Sequence, residues 1–114
     1  MRLEETTGLG LHVWMGKSGK KYRYSVHMFG TAFGPSPANF LFVREIRPGQ
    51  FLPLYVGQTG DISEPLKDFL ALRCIQLSRA THIHVHFSVD DEGMRMAEQS
   101  DIIEQWSPPC NRVR

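Results

Sequence analysis

Alternating apolar and polar positions divide this chain into two β-hairpins, a helix, a further strand and a second helix. LHVWM and KYRYSVHMF are rich in residues that favour strands, and GKSGK between them has the composition of a hairpin turn. NFLFVREI and FLPLYVG supply the second pair of strands. This order predicts an α+β fold with a small antiparallel β-sheet flanked by helices.

The first helix is predicted in ISEPLKDFLALRCIQLSRA, where apolar residues recur at helical spacing. Those residues are Leu66, Phe69, Leu70, Cys74 and Leu77. Asp61 or Ser63 could provide the N-cap, because a short side chain with an oxygen acceptor satisfies the first free N–H groups of a helix. The second helix is predicted in EGMRMAEQSDIIEQW, and Pro108 and Pro109 would end it.

The strand THIHVHFSV places three histidines on one face, because side chains alternate along a strand. His82, His84 and His86 could therefore form a semi-exposed polar face that gains charge as the pH falls. The alternative is a zinc site, but neighbouring positions on one face lie roughly 6.5 to 7 Å apart, which makes convergence of all three imidazoles difficult.

Composition indicates one globular domain, residues 1–114, and charge adds a second candidate surface. The net charge is +1, with seven basic and three acidic side chains in residues 1–50 and six basic and nine acidic in the remainder. The candidate nucleic-acid contacts are Lys17, Lys20, Lys21, Arg23 and Arg44. Trp14, Tyr22 and Tyr24 lie beside the first four and could stack on bases. The alternative is a solvated ribbon whose aromatic rings cover the core.

The cysteines and the apolar runs set an expectation for the compartment. Cys74 and Cys110 are far apart and lack metal-site spacing, so we expect reduced thiols. The first fifteen residues lack the apolar stretch of a secretory signal, and no apolar run approaches the roughly 20 residues that span a bilayer. These features predict a cytoplasmic protein without a membrane partner.

Two short motifs stand out, PLYVGQTGDI before the first helix and PPCN after the second. Through them the chain, from about Pro37 to Asn111, resembles the GIY-YIG nuclease superfamily. Tyr55 and Gly57 are at the tyrosine and glycine positions of the second half of its motif, and PPCN is similar to its closing Pro-x-x-Asn. The resemblance divides the chain into an N-terminal hairpin extension and loop, 1–36, and a GIY-YIG-like core, 37–112. It implies a relative of enzymes that hydrolyse DNA with one divalent metal ion.

The resemblance also implies which positions would carry the chemistry, and most of them are substituted. Phe40 stands at the first tyrosine, Tyr55 keeps the second, and Pro65 replaces the arginine that would steady the phosphate. We expect Pro65 in the first turn of the helix, where its missing N–H costs little. Gln99 falls at the metal-binding glutamate in a register without gaps, whereas one insertion would restore Glu98.

Two hypotheses follow from these substitutions. The first is a GIY-YIG-like domain that has lost nuclease activity and acts as a nucleic-acid- or protein-binding module, with no cofactor. The alternative is an active endonuclease with a rearranged site and Mg²⁺ or Mn²⁺ on Glu98. Its base would be Tyr55, Tyr24 or a histidine, and its arginine Arg44, Arg73 or Arg95. DNA and another protein both remain candidate partners.

Overall fold

A computed structural model describes residues 9–87 and 90–112 of the chain. It confirms the α+β class and the predicted order of elements. The strands are β1 (Leu11–Met15), β2 (Lys21–Met28), β3 (Ala38–Arg47), β4 (Gln50–Thr59) and β5 (His82–Phe87). The helices are α1 (Phe69–Leu77) and α2 (Glu92–Trp106), followed by a 3₁₀ turn at Pro109–Asn111. The predicted continuation of β5 into residues 88 and 89 lies outside the described residues, as do residues 1–8 of the hairpin extension.

The five strands form one antiparallel sheet in the order β1-β2-β5-β3-β4. The N-terminal hairpin therefore adds two strands beside β5, and β3 lies between β5 and β4. A three-stranded sheet would leave the N–H and C=O groups of β5 unpaired at an edge, and β2 satisfies them. The extension is thus part of the same sheet as the predicted core.

The two helices cover opposite faces of this sheet. Phe40 and Phe42 of β3 belong to a buried apolar cluster that includes Ile75 of α1. Leu41 and Val43, the alternate residues of the same strand, pack in a second cluster with Ile102 of α2. Because neighbouring side chains of a strand point to opposite faces, β3 contributes to both cores and is buried on both sides.

Helix α1 begins later in the sequence than predicted. Its N-cap is Asp68, whose carboxylate accepts hydrogen bonds from the N–H groups of Leu70 and Ala71. The expectation of an Asp61 or Ser63 cap was wrong, because Asp61 instead accepts from the backbone N–H and the hydroxyl of Ser63 in a local turn. The order of elements was right, but the residue at which the helix begins was not.

The buried face of α1 also differs from the predicted apolar stripe. Ala71 and Ile75 are the buried residues of the helix, whereas Phe69 is 69% and Leu77 72% exposed. The apolar spacing was ambiguous because residues on both sides of the helix are apolar. Tertiary packing buries the side of the helix that carries Ala71 and Ile75.

A disulfide joins Cys74 of α1 to Cys110 of the 3₁₀ turn. The expectation of two reduced thiols was therefore wrong. The bond closes a loop across 36 positions of the sequence and holds the end of the described chain against the α1 face. Spacing along the sequence could not reveal this pairing, because it depends on α1 and the 3₁₀ turn meeting in space.

Neither helix within the described residues has the length and apolar character that crossing a bilayer requires.

The outer surface of the hairpin is apolar in part. Leu11, Val13 and Met15 alternate along β1 and are all exposed. Trp14, between them, faces α2 and is buried.

Candidate functional site

The positions that the GIY-YIG resemblance singles out first lie on the α1 face and are packed as core. The Phe40 ring stacks on the Tyr55 ring with centroids 6.2 Å apart, and Phe40 is fully buried. A Cβ atom added at Gly57 would overlap the end of the Phe40 ring, so this glycine makes room for the phenylalanine. Burial, and secondarily the charge of Asp68, raises the pKa of Tyr55. Its hydroxyl therefore loses a proton less readily than that of a tyrosine in water, so the phenolate that could act as a base is scarcer.

Pro65 does not lie in the first turn of α1, as the sequence had suggested. It lies three residues before the Asp68 cap, in the irregular segment between β4 and the helix, and is half-buried. Leu66 beside it packs against the α1-face core. Pro65 thus belongs to the packed entry to the helix, and its ring provides no charge for a phosphate.

Gln99 and Asn111 meet at the outer edge of β4. The Asn111 side chain accepts from the Val56 N–H at 2.8 Å and donates to the Val56 carbonyl at 2.8 Å. Gln99 donates to the same carbonyl at 3.3 Å. Edge strands present unpaired backbone groups, and these two amides satisfy them as a paired strand would. Gln99, the position predicted for metal binding, closes the sheet edge here.

Glu98, which precedes Gln99 on α2, is buried on the face of the sheet that this helix covers. It is 5% exposed, and its Oε2 accepts a 2.5 Å hydrogen bond from the Tyr24 hydroxyl. The same oxygen lies 2.9 Å from Nδ1 of His86, and Oε1 lies 3.1 Å from it. Burial, followed by the Glu98 charge, raises the pKa of Tyr24 well above its usual value. Tyr24 therefore stays protonated and donates a hydrogen bond to Glu98.

A second carboxylate on α2 organises the hairpin turn. Asp101 accepts from the Tyr22 hydroxyl at 2.8 Å and from the backbone N–H and hydroxyl of Ser18 at 2.9 and 2.6 Å. The hydrogen bonds from Ser18 hold the pKa of Asp101 below its usual range. Burial and the Asp101 hydrogen bond raise the pKa of Tyr22 to about 12. The β1-β2 turn is thus fixed to α2 by charge-assisted hydrogen bonds.

The side chain of Arg95, which precedes Glu98 by one helical turn, is directed toward the end of β4. Its Nε donates to Gln58 at 3.0 Å and its Nη1 to the carbonyl of Asp90 at 2.7 Å. Arg95 is buried. Arg73, another candidate for a displaced arginine, lies exposed on α1, across the sheet from Glu98.

The candidate basic residues do not form one surface. Lys17, Lys20, Lys21 and Arg23 are exposed around the β1-β2 turn. Arg44 is exposed at the far end of β3. Ser25, Val85 and Phe40 lie side by side in the sheet, with Lys21 four residues beyond on one side and Arg44 four residues beyond on the other. At about 3.3 Å per residue this places the two roughly 26 Å apart along the strands.

The histidine face of β5 is more buried than predicted, since His82 and His84 are buried and His86 is semi-exposed. His84 is fully buried, and its Nδ1 accepts from the Trp14 indole N–H at 3.0 Å. Burial lowers the pKa of His84 to about 3, helped by the neighbouring His12 and His82. The expectation that this face gains charge in the ordinary histidine range was therefore wrong for His84. Its rings are covered by Phe51 of β4 and by residues of β1, which the pattern of β5 alone could not show.

The hydrogen bonding of His84 is incompatible with zinc binding. A neutral imidazole whose Nδ1 accepts a hydrogen bond carries its proton on Nε2, so neither nitrogen offers a lone pair to a metal. Across residues 9–87 and 90–112, no three histidine, cysteine or carboxylate side chains are grouped so that they could hold a metal ion. Glu98, the proposed Mg²⁺ ligand, has its oxygens directed at Tyr24 and His86.

The structure brings together a site that the sequence did not assemble. Glu98, Tyr24 and His86 had each been named, but in separate roles, and the structure makes them one cluster. A cavity of about 270 Å³ opens beside it. Its lining residues are Lys20, Tyr22, His86, Met94, Ala97 and Glu98. The alternation of β2 places Tyr22 and Tyr24 on one face, but the 74 positions between Tyr24 and Glu98 hide their contact from local reasoning.

Comparison with known proteins adds no relative. No protein-family model, no curated protein and no solved structure matches this chain. The similarity to the GIY-YIG superfamily therefore remains a prediction from YVGQTGD and PPCN.

Proposed function

We propose that this chain is a nucleic-acid-binding module on a GIY-YIG-like scaffold that has lost metal-dependent cleavage. The observation that carries the loss of cleavage is the state of Gln99, whose amide is bonded to the Val56 carbonyl at the β4 edge. An amide in this position holds backbone in place, and a neutral amide is a weak ligand for Mg²⁺. Phe40 adds a second reason, since it supplies packing and no hydroxyl.

The basic turn supports nucleic acid as the partner. Four exposed cations surround a turn that Asp101 holds rigidly against α2, so the charges are presented in a fixed arrangement. Lys20 and the ring of Tyr22 also line the cavity beside Glu98. Cations that follow a backbone next to an aromatic ring are the usual means of gripping a single strand.

A binding titration tests this function. Fluorescence anisotropy would follow a labelled single-stranded oligonucleotide added to the wild-type chain and to a variant with Lys17→Gln, Lys20→Gln, Lys21→Gln and Arg23→Gln. With four phosphate contacts, we expect wild-type affinity to fall about 50-fold between about 50 and 200 mM salt, and the variant to bind weakly with a shallow salt dependence.

The matched control neutralises the opposite end of the sheet with Arg44→Gln and Arg47→Gln, which removes exposed cations outside the turn. We expect this control to bind as wild type does. Losses in proportion to the number of cations removed, two in the control and four in the turn variant, would show general electrostatic attraction rather than a binding surface at the turn. A wild-type chain that binds no oligonucleotide at low salt would refute the assignment and direct the search to protein partners.

A further inference from the structure

The cavity beside His86 combines a directed imidazole with a cation. The His86 side chain is 30% exposed, while Glu98 behind it is almost fully buried. Glu98 accepts a hydrogen bond from the Tyr24 hydroxyl and lies within hydrogen-bond distance of His86 Nδ1. Lys20 is exposed and lines the same cavity.

The carboxylate sets the chemistry of the imidazole. With Nδ1–H donated to Glu98, the neutral ring keeps a lone pair on Nε2. A base that is oriented by a third group is the arrangement that activates hydroxyl nucleophiles in many enzymes. Tyr24 donates to Oε2 of Glu98, the oxygen nearer to His86, and so helps to hold the carboxylate beside the imidazole.

Across the described residues no three metal-ligating side chains are grouped, so we consider a reaction that needs only the side chains of this cavity. Hydrolysis of a DNA phosphodiester needs an external water and strong stabilisation of negative charge, which metal ions normally provide. RNA carries its own nucleophile, the 2′-hydroxyl adjacent to the phosphate. A base and a cation then suffice, because the attacking oxygen is already held beside phosphorus.

We propose that this cavity is a metal-independent site that cleaves single-stranded RNA by attack of its 2′-hydroxyl. His86 Nε2 takes the proton of the 2′-hydroxyl, and the resulting oxyanion forms a new bond to phosphorus. The bond from phosphorus to the 5′-oxygen breaks, and that oxygen takes a proton from the Lys20 ammonium group. The proton held on His86 passes through water to Lys20. The products are a 2′,3′-cyclic phosphate and a 5′-hydroxyl, so no water or oxidant is consumed.

The inference rests on the proposed nucleic-acid binding, and it makes RNA the substrate. A single strand is required because the 2′-oxygen must align opposite the leaving 5′-oxygen, which a flexible strand permits and a regular A-form helix resists. Glu98 and Tyr24 are positioning residues in this scheme, since they act through His86.

The experiment incubates the wild-type chain with a labelled single-stranded RNA in excess EDTA and identifies products by mass spectrometry. We expect fragments that end in a 2′,3′-cyclic phosphate. His86→Gln removes the base and should slow cleavage by about 100-fold or more. The control is His12→Gln, which changes a histidine elsewhere on the same face of the sheet and should cleave as wild type does.

Two further arms test the nucleophile and exclude misfolding. The wild-type chain should bind the same RNA with 2′-O-methyl groups and leave it intact. This arm alters the substrate and not the protein, so misfolding of a variant cannot explain the result. Glu98→Gln should bind RNA normally and cleave it more slowly. Cleavage by His86→Gln at the wild-type rate would overturn the proposal. Cleavage of the methylated RNA by the wild-type chain would do so as well.

The outcome also separates this proposal from the proposed function. RNA that is bound but not cut would overturn the cleavage site and leave the binding module standing. RNA and DNA that are both unbound would refute the two together.

Discussion

The two faces of the sheet carry different kinds of residues. The α1 face contains an apolar cluster built on Phe40, Phe42 and Ile75, sealed by the disulfide at Cys110. The α2 face contains buried polar groups, among them Glu98 bonded to Tyr24 and His84 bonded to Trp14. The positions that the GIY-YIG resemblance assigns to tyrosines fall on the first face, whereas the ionisable cluster lies on the second. The difference shows that the resemblance and the buried hydrogen-bonded polar cluster single out opposite faces of one sheet.

The largest loss of stability should come from removing a large side chain from the apolar core on the α1 face. Phe40→Ala removes a buried ring from the α1 cluster, and we expect the free energy of unfolding to fall by about 3 to 5 kcal/mol. Urea denaturation measures this loss. Leu52→Ala, at an exposed position of β4, is the matched control and should cost less than about 0.5 kcal/mol. Similar losses in both variants would show that Phe40 does not organise that core.

The disulfide should stabilise the same face by constraining the unfolded chain. For a loop that spans 36 positions, chain entropy predicts up to about 4 kcal/mol. Urea denaturation with and without reductant should show this difference in wild type. The Cys74→Ser, Cys110→Ser variant should be less stable and indifferent to reductant. Free thiols in the intact mass of non-reduced protein would contradict the assignment.

Acid should act chiefly on the α2 face. Burial lowers the pKa of His84 to about 3, below the 6.5 of an exposed histidine, so the unfolded chain binds the extra proton first. Stability is therefore complete above about pH 6.5 and falls as the pH drops toward 3. We expect a loss of about 2 kcal/mol between pH 6.5 and 5 from this group.

Denaturation of His84→Gln at the two pH values tests this assignment. The variant removes the titrating group and should flatten the pH dependence without abolishing it, because burial also lowers the pKa of His12 and His27. Parallel profiles for wild type and variant would place the acid sensitivity elsewhere.

The smallest losses of stability are expected from the two side-chain amides that bond to the backbone at the β4 edge. Asn111→Ala leaves the Val56 N–H without its side-chain acceptor, and we expect a cost of about 1 to 3 kcal/mol. Gln99→Ala removes the second donor to a carbonyl that Asn111 still serves, so it should cost about 0.5 to 1 kcal/mol. Hydrogen exchange at the Val56 amide would rank the two variants, and we expect faster exchange in Asn111→Ala. Faster exchange in Gln99→Ala would show that Gln99 contributes more to stability than its hydrogen bond at the edge.

The fold could be predicted from the sequence because its signals are local. Alternation in KYRYSVHM and the helical spacing of apolar residues in FLALRCIQL specify elements without knowledge of their neighbours. The site could not be predicted, because its contacts are distant along the chain. Glu98 meets Tyr24 across 74 positions, and His84 is buried by residues of β1 and β4. Local patterns also failed where two choices were equivalent, as for the cap of α1.

Metal-dependent DNA cleavage is the measurement that tests the central claim most directly. Supercoiled and branched DNA would be incubated with the wild-type chain and Glu98→Gln, in Mg²⁺, in Mn²⁺ and in EDTA. We expect no cutting that depends on metal, because Gln99 closes the β4 edge and Glu98 is bonded to Tyr24 and His86. Metal-dependent cuts that Glu98→Gln abolishes would contradict the account and establish a working nuclease with its metal on Glu98.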